Sequence, residues 1–117
     1  MINRFSGKLL KEAFRYFPCV AIIGPRQIGK TTLVKQFISS IDGAVSYIDL
    51  ESISDSQKLK DPEIFLNQFE DHTIVIDEVQ RNKQLFPVLR SVIDNNRRPG
   101  RFILLGSASP ELIRDTS

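Results

Sequence analysis

The chain has 117 residues, which is enough for one domain with a single hydrophobic core. Sixteen basic and fourteen acidic residues give a net charge of +2, too small to indicate a protein that binds nucleic acid or a membrane surface. A single cysteine excludes a disulfide framework, and no apolar run approaches the ~20 residues of a membrane span. Because no signal-peptide pattern opens the chain, we expect a cytoplasmic protein.

The first predicted element is a helix within residues 1–18, with Ser6 as its cap and Pro18 ending it. Its apolar residues recur at helical spacing: Leu9, Leu10, Ala13, Phe14 and Phe17. The continuously apolar run Cys19-Val20-Ala21-Ile22-Ile23 then predicts a strand covered on both faces. We expect the Cys19 thiol within it to be buried and structural rather than reactive.

A phosphate-binding pattern, G-x-x-x-x-G-K-[ST], follows this strand directly and is the Walker A motif of P-loop proteins. Gly24 and Gly29 permit backbone angles that turn successive N–H groups toward an anion. Lys30 supplies a charge for the terminal phosphates, Thr31 a hydroxyl for Mg²⁺, and the following helix the positive end of its dipole. The predicted nucleotide-binding residues are Gly24, Pro25, Arg26, Gln27, Ile28, Gly29, Lys30, Thr31 and Thr32.

Helical and strand-like patterns alternate through the rest of the chain. Helices are predicted over residues 33–41, from Asp61-Pro62-Glu63 onward, and over residues 85–93; strands are predicted over residues 45–50, 73–76 and 102–105. The polar stretch 52–60 is predicted to be a loop, and Arg97 and Arg98 with Arg101 a solvated turn rather than a phosphate contact. This alternation predicts an α/β fold with a parallel, doubly wound sheet.

Polar residues follow the predicted third and fourth strands. Asp77 and Glu78 end an apolar strand, which is the Walker B arrangement: Asp77 is placed to hold Mg²⁺ through its water shell and Glu78 to orient or activate the attacking water. Ser107 is predicted to hydrogen-bond the terminal phosphate or that water, provided that the fourth strand lies between the other two. Ser109 is the reserve candidate, and a simple Gly-Ser turn is the alternative.

These stretches, GPRQIGKTTL, IVIDEVQR, LFPVLRSVID and RRPGRFILLGSASPELIR, resemble the N-terminal part of bacterial or archaeal AAA-type ATPases whose ATPase module precedes a poorly characterised C-terminal domain. The resemblance covers residues 22–114 and implies an AAA-like sheet with ATP and Mg²⁺ as ligands. By motif match it assigns catalytic roles to Lys30, Glu78 and Ser107 and metal roles to Thr31 and Asp77. One departure is Leu105, where the family commonly carries a threonine.

AAA modules also contain a fifth strand, a helical lid and an arginine supplied at a subunit boundary. We therefore expect residues 19–117 to be an incomplete P-loop ATPase core, either a fragment or a natural short protein. The expected function is Mg²⁺-dependent ATP hydrolysis, weak or absent in this stretch alone. Self-association through an exposed edge of the first strand is also expected.

Three other functions compete with this interpretation. A nucleotide-binding regulatory switch with little hydrolysis is the main alternative. A GTPase would need an Asn-Lys-x-Asp base reader, which Asn82-Lys83-Gln84-Leu85 begins and does not complete. A small-molecule kinase is disfavoured by the Asp77-Glu78 pair, which suits water activation. No basic stripe with aromatic residues supports a nucleic-acid partner.

Overall fold

The computed structural model describes residues 7–24 and 30–107. Helices and strands alternate along this part of the chain: α1 Gly7–Tyr16, β1 Cys19–Gly24, α2 Lys30–Ile38, β2 Val45–Asp49, α3 Ile53–Lys58, α4 Pro62–Gln68, β3 Thr73–Asp77, α5 Leu85–Asn95 and β4 Phe102–Ser107. A single 3₁₀ turn, Val79–Arg81, follows β3. The predicted cap Ser6, the loop residues 25–29 and the reserve candidate Ser109 lie outside the described residues.

The four strands form one sheet in the order β1-β4-β3-β2, and every neighbouring pair is parallel. The predicted α/β fold with a parallel sheet is therefore confirmed. Strand β4 lies between β1 and β3, which is the condition that the Ser107 hypothesis required. Ala21 in the outer strand β1 is exposed, so the prediction that both faces of this strand are covered is wrong at that residue.

Helices cover both faces of the sheet. On one face, Leu10 of α1 and Val34 of α2 are buried against alternate residues of β1, β3 and β4. On the other face, α4 and α5 bury Leu66 and Leu89 against the remaining alternate residues. The side chain of Cys19 packs against this second cluster, and burial raises the pKa of its thiol to about 12, in line with a structural role. In the described part of the chain, no helix has both the length and the apolar character to cross a membrane.

The prediction of a loop over residues 52–60 is wrong, because Ile53–Lys58 form helix α3. The Ser52 hydroxyl accepts a hydrogen bond from the Asp55 N–H, so Ser52 caps the helix. The Asp55 carboxylate accepts a bond from the Asp49 N–H and pairs with Lys58 at 3.2 Å, and these contacts lower its pKa. No residue of α3 is buried. The helix therefore lacks the apolar periodicity by which sequence patterns identify helices.

The Arg97-Arg98-Pro99-Gly100 segment corrects another prediction, because the adjacent Arg101 is buried rather than solvated. Its Nη1 donates to the carbonyl oxygens of Val92 and Asn96, both at 3.0 Å, at the end of α5. Burial lowers the pKa of the Arg101 guanidinium, and the nearby Arg98 charge lowers it further. Gly100 precedes it with φ +74°, and a Cβ there would lie 2.8 Å from the Phe14 ring. The segment is thus a packed junction between α1, α5 and β4.

Candidate functional site

The carboxyl ends of all four strands meet at one edge of the sheet. In the strand register, Ser107 lies opposite Gly24 and Asp77 lies opposite Asp49. The chain leaves β1 toward the face covered by α2 and leaves β3 toward the face covered by α5. In open α/β sheets, ligands bind at the carboxyl ends of strands whose connections diverge in this way.

Helix α2 begins at this same edge. Its first two residues are Lys30 and Thr31, whose backbone the structure describes, and the exposed Thr32 follows. Residues 25–29, which separate Gly24 from this helix, lie outside the described residues. An N-terminus of this kind offers N–H groups and a positive partial charge to an anion.

Asp77, the last residue of β3, is held by a residue of the neighbouring strand. The Tyr47 hydroxyl donates to Asp77 Oδ2 at 2.6 Å. Burial raises the pKa of Tyr47, and the hydrogen bond to Asp77 and the carboxylates of Asp77, Asp49 and Glu78 raise it further. The phenol therefore stays protonated at physiological pH and remains a donor.

Glu78 follows β3 in the left-handed region, with φ 57° and ψ 46°. A side chain in this conformation costs on the order of 1 kcal/mol. Gln80 Nε2 donates to Glu78 Oε2 at 2.5 Å, and Gln80 Oε1 accepts a bond from the Ser107 N–H at 3.3 Å. The Gln80 amide thus connects the carboxylate after β3 with the backbone at the end of β4.

The Ser107 hydroxyl, at the end of β4, lies in an unusual environment for a polar group. Its Oγ is buried and has no hydrogen-bond partner among the described residues. Buried polar atoms are rarely left without a partner. Leu105 and Val75 both pack on the sheet face that α2 covers. Ser107 lies two residues after Leu105, and Asp77 lies two residues after Val75. Because side chains alternate along a strand, Ser107 and Asp77 both lie on the face where α2 begins.

These residues fit the nucleotide and metal that the sequence implies. Within residues 7–24 and 30–107, no three His, Cys, Asp or Glu side chains are grouped to hold a metal ion. Mg²⁺ that accompanies a nucleotide needs one or two carboxylates in addition to phosphate oxygens, and Asp77 can supply one. The Ser107 Oγ, which has no partner within residues 7–24 and 30–107, can donate to, or accept from, a further polar group.

Comparison with known proteins identifies a domain family to which the chain is similar. A family model described as "AAA domain" matches residues 16–117. The chain belongs to this family. AAA domains are P-loop modules that bind ATP, generally use Mg²⁺ and often assemble into oligomers. The all-parallel sheet agrees with this membership.

Two relatives of the chain occur in mycobacteria. Uncharacterized proteins of Mycobacterium bovis and of Mycobacterium tuberculosis are each 42% identical to it over 111 residues. The match covers 95% of this chain and 24% of each relative. The chain therefore spans about a quarter of the length of the curated relatives that it matches.

Two residues of this candidate site do not follow from the sequence pattern. The pattern assigns Tyr47 to a strand without a further role and gives Gln80 no role. Tyr47 could have been found from strand alternation, had the register between β2 and β3 been known. For Gln80, the only sequence signal is its position two residues after Glu78. The predicted residues Asp77 and Ser107 do come together at one sheet edge with Gly24 and the start of α2.

Proposed function

We propose that the chain is an AAA-type ATPase module that binds ATP with Mg²⁺ and hydrolyses it. One observation carries the proposal: Asp77 and Ser107 lie on the sheet face where α2 begins, at the carboxyl edge that also holds Gly24. This is the edge at which parallel α/β sheets bind nucleotides. Family membership supports the same function.

Each residue has a role in this proposal. The N–H groups of the loop from Gly24 and of the α2 N-terminus bind phosphate oxygens, and Lys30 adds a charge to them. The Thr31 hydroxyl ligates the metal, and Asp77 holds the metal's water shell. Bound Mg²⁺ supplies charge neutralisation for the phosphates. Glu78 orients the attacking water or accepts its proton, and the Ser107 hydroxyl hydrogen-bonds the terminal phosphate or that water.

One observation favours a second function, a nucleotide-binding switch that hydrolyses little ATP. Glu78 Oε2 accepts a 2.5 Å bond from Gln80, which holds the carboxylate against the turn after β3. A carboxylate that stayed in this position with ATP present would orient the attacking water poorly, and the chain would then bind nucleotide with little hydrolysis. Phosphate release measured under single-turnover conditions separates the two functions.

Lys30→Ala tests the nucleotide site directly. Removing a charge that acts on phosphates is expected to weaken Mg-ATP binding about tenfold or more in a calorimetric titration. Lys60→Ala, at an exposed position between α3 and α4, is the matched control and should bind as the wild type does. Unchanged binding by Lys30→Ala, or an equal loss in both variants, would remove the assignment of this loop.

The same titration with GTP tests the nucleotide class. We expect ATP to bind more tightly than GTP, because Asn82-Lys83-Gln84-Leu85 lacks the aspartate that reads guanine. Equal affinities for the two nucleotides would contradict the preference for adenine. Partners beyond ATP are proposed only as further copies of this chain, since AAA domains often oligomerise.

A further inference from the structure

Tyr47 was not among the site residues predicted from the sequence, but its side chain hydrogen-bonds directly to Asp77. Its hydroxyl lies 2.6 Å from Asp77 Oδ2, within the range of charge-assisted O–H···O⁻ bonds. The bond joins two strands across 30 positions of sequence and therefore depends on the register of the sheet.

The sheet and α2 together set the position of the Tyr47 ring. Tyr47 is paired with Val75, and Asp77 lies two residues further along the same strand, so both side chains are on one face. The ring is partly buried against the cluster beneath α1 and α2. Lys35 Nζ of α2 lies 5.6 Å from the ring centroid, within the range of a cation–π contact. Tyr47 is thus held between the helix that begins at Lys30 and the carboxylate at the end of β3.

We propose that Tyr47 is a positioning residue for the metal: by donating to Oδ2, it fixes the Asp77 carboxylate so that Oδ1 is presented to the water shell of Mg²⁺. The inference rests on the proposed function, in which Asp77 holds that water shell. The affinity for ATP then depends on Tyr47 only when Mg²⁺ is present. A purely structural tyrosine would affect binding with and without the metal alike.

Tyr47→Phe tests this dependence because it removes one oxygen and keeps the ring. ATP binding is measured by calorimetry in excess Mg²⁺ and again in EDTA. We expect Tyr47→Phe to weaken binding on the order of three- to tenfold with Mg²⁺ and less than about twofold in EDTA. Tyr16→Phe is the matched control, because Tyr16 is 68% exposed at the end of α1 and should change neither affinity.

A double-mutant cycle assigns the effect to the bond with Asp77. In an Asp77→Ala background, which leaves no acceptor for the Tyr47 hydroxyl, Tyr47→Phe should cause no further loss of Mg-ATP affinity, since the two changes remove one interaction. Additive losses would overturn the proposal. Equal losses with Mg²⁺ and in EDTA would overturn it too, as would unchanged Mg-ATP binding by Tyr47→Phe.

The tyrosine spectrum provides a readout that needs no turnover. The chain has two tyrosines and no tryptophan, so Tyr47 is the only source of tyrosine fluorescence in the Tyr16→Phe protein, and bound adenine emits almost no light of its own. Adding Mg²⁺ to this protein with ATP bound should change the intensity of the Tyr47 emission, and the additional change Asp77→Ala should abolish that response. If Tyr47→Phe does not fold, this comparison decides the point, and a Tyr47 emission that does not respond to Mg²⁺ overturns the proposal.

Wild-type binding distinguishes the failure of this inference from that of the proposed function. A wild-type protein that binds no ATP, or binds it equally with and without Mg²⁺, overturns both. A wild type that binds ATP in a Mg²⁺-dependent way beside an unaffected Tyr47→Phe variant overturns only the role of Tyr47.

Discussion

At the scale of single residues, the two acids after β3 have different surroundings although they are adjacent in sequence. Asp77 accepts its bond from a tyrosine of the next strand on the α2 face. Glu78 adopts a left-handed backbone and accepts its bond from Gln80 in the following turn. Two carboxylates with different partners can perform different tasks in one site.

This difference leads to a paired prediction. Glu78→Gln should leave Mg-ATP affinity within about twofold and abolish the phosphate release that the unsubstituted protein shows under single-turnover conditions, because it keeps the shape and removes the group that accepts a proton from water. Its amide oxygen can still accept the bond from Gln80. Asp77→Asn should instead weaken the Mg²⁺-dependent part of ATP binding. Calorimetry and phosphate release on both variants provide the measurements.

The paired variants serve as controls for each other. Equal weakening of binding in both, with turnover unchanged, would contradict the division of roles. A large loss of unfolding free energy in either variant would indicate a structural role for that side chain instead.

At the scale of elements, the carbonyl groups at the C-terminal end of α5 accept hydrogen bonds from the buried guanidinium of Arg101. Arg101 is 1% exposed, and its Nη1 donates to the Val92 and Asn96 carbonyls. Its Nε and Nη2 are buried with no hydrogen-bond partner among the described residues. Burying the charge is unfavourable, whereas satisfying the helix-end carbonyls is favourable.

We expect the hydrogen bonds from Arg101 to the helix-end carbonyls to stabilise the fold by more than the burial of its charge destabilises it. Val92 O also accepts a bond from the Asn96 N–H at 3.3 Å, so Arg101→Met mainly leaves the Asn96 carbonyl without its donor. The free energy of unfolding should fall by about 1–2 kcal/mol in a urea titration. Arg97→Met is the matched control: Arg97 is exposed and pairs with Asp94 at 2.8 Å, so its loss should stay within about 0.5 kcal/mol. A more stable Arg101→Met protein would show that the desolvation of the charge is the larger effect.

At the scale of the whole molecule, β1 pairs only with β4 in the described part of the sheet. Unpaired N–H and C=O groups along a strand edge favour pairing with another chain. The side chains of β1, Cys19–Gly24, carry no charge that would oppose such pairing. Ala21 in this strand is exposed.

The 117-residue chain is therefore expected to self-associate through β1, with an average mass that rises with concentration in sedimentation experiments. Ala21→Lys should reduce the association, because a charge on an edge strand discourages pairing. Gln57→Lys adds the same charge to the exposed surface of α3 and should have no effect. A single monomeric mass at all concentrations would contradict the prediction, and so would equal effects of the two substitutions.

The amino-acid sequence alone determined which strands and helices follow one another along the chain, except for α3. Buried strands and helices with an apolar face reveal themselves through the period of their hydrophobic residues, as β3 and α5 do. Helix α3 has no buried residue and is held by its cap and by contacts of Asp55, so the period gives no signal there. The candidate residues Asp77, Glu78 and Ser107 were predicted from local motifs, because the chemistry of phosphate and metal requires particular residue types at strand ends.

Only the tertiary structure decided which side chains surround those residues. The bond from Tyr47 to Asp77 depends on the register of two strands, and the position of Gln80 between Glu78 and Ser107 depends on β4 lying beside β3. The burial of Arg101 likewise depends on how α5 packs against the sheet. A local pattern reports the period and chemistry of one segment, whereas these contacts join residues that are brought together by strand pairing and helix packing.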